Sequence, residues 1–157
     1  MRSIRVLSLA GSLVTLLVMV LGRIVRVTGA SMACPDWPLC NGALVPEMNL
    51  LVFLEFTHRL MVLGVAVITV AIVVVAWRHG GGLRAYTLGC LVLLFTTAIV
   101  GGLSVLYPLG PAGAALDQAL AQMAFASLVA LTTWCYALDR APSHTGSSET
   151  LSSTSNR

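Results

Sequence analysis

The chain has 157 residues, of which 57% are hydrophobic and only 10% charged; a soluble domain carries about 25% charged residues. So few charges cannot cover a water-facing surface, which points to lipid as the main solvent and leaves room for one small bundle. The nine basic residues are all arginine, and they are scattered beside apolar runs rather than gathered into a patch. The net charge of +3 therefore reads as a topology signal and argues against nucleic acid as a partner.

Four apolar runs are long enough to cross a bilayer core of about 30 Å as helix. They cover about 6–27, 49–77, 85–106 and 112–138. Backbone groups in lipid must pair internally, so each run is expected to be helical. The expected fold is an all-α membrane protein: a four-transmembrane-helix bundle over 1–140 with a disulfide-bearing outer loop, followed by a disordered polar tail at 141–157 rich in Ser and Thr. The lipid bilayer is the first expected partner.

Arg2 and Arg5 precede the first run, Arg78 and Arg84 lie between the second and third, and Arg140 follows the fourth. Placing all five inside gives a multi-pass protein of the plasma (inner) membrane with both termini cytoplasmic. The basic start, apolar stretch and small residues before Cys34 also suit a cleaved signal, but Arg23 and Arg26 fall where signals are rarely basic. Loop 29–48 then faces the oxidising side, where Cys34 and Cys40 are expected to form a disulfide. Their spacing is wrong for a redox CxxC motif and lacks the second pair that zinc requires. The loop they close reads as a structural clamp or as a redox participant.

The second run carries Glu55, His58 and Arg59 within five positions. Ionisable groups inside a span are costly, which makes each a candidate functional residue. Glu55 and His58, three positions apart, share a broad helix face. A neutral imidazole at that depth could ligate heme iron, and the carboxylate one turn away could relay protons or position an oxidant. The alternative is a packed polar network between helices. Arg23 and Arg26 suit either snorkelling to headgroups or clamping a carboxylate such as a heme propionate. Asp117 and Gln122, in the fourth run, read as structural without further context, and Gly101 and Gly102 as a close helix contact.

The stretch 21–42, Leu-Gly-Arg-Ile-Val-Arg-Val-Thr-Gly-Ala-Ser-Met-Ala-Cys-Pro-Asp-Trp-Pro-Leu-Cys-Asn-Gly, resembles the first helix end and first outer loop of the heme A synthase family. Glu55-Phe-Thr-His-Arg59 looks like that family's Glu-x-x-His-Arg signature, and Val100-Gly-Gly-Leu-Ser-Val105 is similar to its third-helix pattern. The resemblance implies a membrane oxidoreductase that oxidises the C8 methyl of heme O to the formyl of heme A for cytochrome oxidase biogenesis. Heme B is the implied cofactor and heme O the implied substrate. By the same resemblance His58 matches an axial iron ligand, Glu55 the essential acid, and Cys34 and Cys40 the outer-loop pair. Arg26, Arg59 and Asp117 fall at positions expected to touch the cofactor.

Two departures qualify this. Family members usually have eight helices in two halves, and this chain resembles the first half. A homo-oligomer or a second four-helix half is therefore an expected partner, with heme O synthase and cytochrome oxidase subunits as candidates. Asp117 also stands where the family has a second histidine. His79 and His144, the other histidines, are expected on the cytoplasmic side. The alternatives are a non-catalytic heme-binding or oxidase-assembly membrane protein, or a diverged half-protein without heme.

Overall fold

The structure is a computed structural model that describes residues 2–107 and 109–140. The expected disordered tail at 141–157, with His144, lies outside the described residues. Among the described residues, four helices are each long and apolar enough to cross a membrane: α1 Arg2–Val27, α2 Leu50–Ala76, α3 Gly81–Leu106 and α4 Gly110–Arg140. The protein is thus an all-helical, multi-pass membrane protein. The helices pack in a ring, α1 on α2, α2 on α3, α3 on α4 and α4 back on α1.

Local sequence explains where the helices start and stop. Asn49 caps α2, its side-chain oxygen accepting the Val52 N–H at 3.0 Å. Three glycines, Gly80 to Gly82, read as a linker, yet α3 already begins at Gly81. Arg84 anchors this turn: its guanidinium donates to the Trp77 carbonyl at 2.9 Å and lies 4.7 Å over the Trp77 ring, covering the end of α2 with positive charge.

In the half of the bundle away from the disulfide loop, the core is aliphatic, built on Ile4, Val65, Ile72, Leu128 and Leu131. The buried hydroxyls there are satisfied on their own helices. Ser12 donates to the Ser8 carbonyl at 2.8 Å, Thr15 to Gly11 at 2.7 Å, Thr69 to Val65 at 2.8 Å and Thr132 to Leu128 at 2.9 Å. Such bonds let small polar residues sit at helix contacts without an unpaired group in lipid. At the far end Arg5 pairs with Asp139 at 2.6 Å and lies 4.7 Å over the Tyr136 ring, tying the start of α1 to the end of α4.

Candidate functional site

The other end of the bundle is different in kind. Residues 28–49 form a folded cap there, beginning with a short 3-10 turn, Ala30–Met32. Cys34 and Cys40 are joined in a disulfide, with Cα atoms 4.6 Å apart. Both cysteines are buried against Val52 and Phe56 of α2. The cap turns back at Asn41 and Gly42, both at positive φ (53° and 73°), between the paired residues Cys40 and Ala43. Asn-Gly is the dipeptide a two-residue hairpin of this kind favours. Asp36 holds the turn from inside, its carboxylate accepting the Gly42 N–H at 2.8 Å and the Asn41 N–H at 2.6 Å. The Gly42 bond, helped by the Asn41 amide and the Arg59 charge, outweighs desolvation and holds the Asp36 carboxyl below its usual range.

Arg59 fastens this cap to α2. It donates to the Glu55 carboxylate at 2.7 Å and to the carbonyls of Asp36 at 2.7 Å, Cys34 at 2.9 Å, and Leu39. Both members of the Glu55–Arg59 pair are largely buried, with side chains 6% and 13% exposed. A planar guanidinium can serve several acceptors at once in this way, which a lysine cannot. On the opposite wall, Trp37 of the cap lies directly on α3. A Cβ at Gly102 would come within 2.7 Å of the indole ring, so glycine is what allows the contact.

His58 points elsewhere. Its ring lies against Gly22 of α1, where a Cβ would stand 2.9 Å from Cε1. The Nδ1 atom is buried without a hydrogen-bond partner. Asp117 of α4 is close enough to act electrostatically on the imidazole, and it pairs loosely with Arg26 at 3.4 Å. Gly101 makes room for that carboxylate, a Cβ there falling 3.3 Å from Oδ1. The structure thus brings together His58, Asp117 and Arg26 from three helices. Glu55 and Arg59 form a separate group directed at the cap, although the three-residue spacing gives Glu55 and His58 one broad helix face.

Gly22, Asp36 and Trp37 were not legible as site residues. Gly22 carried one signal: a mid-helix glycine costs about 1 kcal/mol against alanine, so its presence suggests a close approach.

An iron porphyrin, implied by the family resemblance, needs an uncommitted imidazole and space beside it. His58 supplies the imidazole. Its ring rests on the α1 backbone at Gly22, with no room for a porphyrin on that side. The group opposite is also a carboxylate, which cannot reproduce a nitrogen or sulfur ligand. The four-helix unit as packed does not fit a heme by itself.

Comparison with known proteins bears on this geometry. Residues 5–50, covering most of α1 and the cap, match the family described as cytochrome oxidase assembly protein. The heme A synthase of Staphylococcus saprophyticus is 31% identical over 145 residues, 88% of this chain and 48% of that protein. Heme A synthases of Bacillus cereus and Bacillus anthracis are 30% identical over 144 residues, 88% of this chain and 46% of theirs. The chain spans about half the length of the curated relatives it matches. The resemblance carried by the motifs is thereby shown: this chain is a relative of the heme A synthases, similar to them over 88% of its length.

Proposed function

We propose that the chain works in heme A synthesis as a heme A synthase-like membrane oxidoreductase, with heme O as substrate and heme A as product. It does so as one four-helix unit of a larger assembly, made with a second copy or with a second four-helix half. The observation that carries this reading is His58: a half-buried imidazole whose Nδ1 is buried without a partner, held in a span, in a chain similar to heme A synthases. An unpaired polar atom at that depth is costly, and a packing role alone gives no return for it. The relatives' doubled length is consistent with a site that needs twice as many helices. Within the reading, His58 is the metal-facing residue and Arg26 the cation for a substrate carboxylate. Glu55 and Arg59 hold the cap over the site, and the cap excludes water from it.

A second reading has its own observation. One Glu55 oxygen is paired with Arg59, and Asp117 lies within electrostatic reach of the histidine. That pattern suits a non-catalytic heme-handling or oxidase-assembly protein. Co-expression with a heme O source, followed by heme extraction, separates the two. Heme A that appears with the wild-type chain and disappears with His58→Ala is the expected result. Unchanged heme O with the wild-type chain would overturn the enzymatic reading.

A further inference from the structure

A groove of about 860 Å³ runs between α1 and α4 on the lipid-facing side of the bundle, toward the cap end. It is separate from the His58 group, and its inference does not rest on the heme reading. Its walls are mostly aliphatic, with Val20 and Val27 on α1 and Ala115 on α4, but three polar side chains also line it: Arg23, Gln118 and Gln122. Among the described residues Arg23 makes no ion pair, in contrast to Arg26 one turn later, which faces Asp117. Arg23 and Arg26 thus diverge, Arg26 toward the bundle and Arg23 into the groove.

Depth constrains what could fill the groove. Arg23 is four residues before the end of α1, about 6 Å along the axis, and Gln118 is eight residues into α4, about 12 Å. A long arginine at the first depth reaches an interfacial phosphate. An amide at the second lies at or below the ester carbonyls, with Gln122 one turn deeper in the same column. Aliphatic walls beneath then suit an acyl chain. We propose that this groove binds one anionic phospholipid, its phosphate on Arg23, an ester carbonyl on Gln118 and a chain along Val20 and Ala115.

A second copy is the rival occupant, and charge disfavours it. Two copies meeting groove to groove would bring two Arg23 side chains toward one two-fold axis. Like charges would face each other at low dielectric, with the nearby Asp117 already engaged by Arg26.

The test is native mass spectrometry of the full chain released from vesicles of equal phosphatidylglycerol and phosphatidylcholine. The wild-type chain retains phosphatidylglycerol preferentially. Arg23→Gln lowers that preference about fivefold, the worth of one arginine near an anionic surface. Ala115→Trp, which fills the groove, reduces retention of both lipids while the Cys34–Cys40 disulfide stays intact. Equal retention of the two lipids by the wild-type chain would overturn the proposal, as would an unchanged preference in Arg23→Gln. So would a dimer that Ala115→Trp dissociates, because that result assigns the groove to a second copy.

Discussion

The two ends of the bundle solve the same problem in opposite ways. Away from the cap, every buried hydroxyl named above folds back onto its own helix, and beyond the Arg5–Asp139 pair at the rim and the Tyr86 hydroxyl on the Ser127 carbonyl the helices cohere through aliphatic contact. At the cap end, polar groups reach between elements: Arg59 of α2 serves three loop carbonyls, and Asp117 of α4 faces Arg26 of α1. Self-contained hydroxyls need nothing from their neighbours, so that half is tolerant. Cross-element bonds fail together when one partner is lost, so the cap end is specific and easily broken. The His58 nitrogen without a partner also lies in this end.

This contrast can be broken hardest at Arg59. Arg59→Ala leaves Glu55 as a buried lone carboxylate, and removing one member of a buried pair costs about 3–5 kcal/mol. Thermal unfolding in detergent should drop accordingly. Hydrogen exchange should rise across 33–43 with little change in 65–72. Equal loss of protection at both ends would mean that the cap is not a separate cooperative unit.

Gly22→Ala ranks next. The added methyl must displace the His58 ring, and overpacking of this kind costs about 1–3 kcal/mol. The His58 imidazole resonances should shift by NMR while the Cys34–Cys40 disulfide stays intact. Unmoved resonances would show that the contact of His58 with α1 is looser than its geometry.

Thr132→Val, in the tolerant half, should change stability by less than about 1 kcal/mol, because it removes one bond of a helix to itself together with the group that needed it. A loss as large as that of Arg59→Ala would erase the contrast between the ends.

The smallest effect is that of pH on the cap. The Asp36 carboxyl is held below its usual range by the Gly42 and Asn41 amides. A depressed folded value stabilises the cap fully above the unfolded value, about 3.9, and the contribution is lost as pH falls through the folded value. Protection of the Asn41 and Gly42 amides should therefore be flat from neutral pH down to about 4 and fall below it. Asp36→Asn should weaken it at every pH.

Sequence reading reached the helices because hydrophobic length is a one-dimensional property: twenty apolar residues are visible without knowing a neighbour. The candidate residues were also visible, since Glu55, His58 and Arg59 are conspicuous in an apolar run. What they touch was not visible. A spacing of three puts Glu55 and His58 on one face, but whether a side chain meets a loop carbonyl or another helix depends on tertiary packing. Arg59 illustrates this, because its partners lie 20 to 25 positions away. The Trp37–Gly102 contact joins two glycine- and proline-bearing segments whose individual signals are only local. The start of α3 at Gly81 runs against the weak helix propensity of glycine, and the Arg84 contact with the Trp77 carbonyl across that turn was not visible in the sequence.

In the proposed reading His58 meets heme only when the four-helix unit is assembled with a second one. The most direct measurement is the Soret absorbance of size-separated species after heme is added to the purified full chain. A Soret band should follow the assembled species, be absent from the monomer, and disappear from the assembled species with His58→Ala. A monomeric bundle that binds one heme through His58 would contradict it.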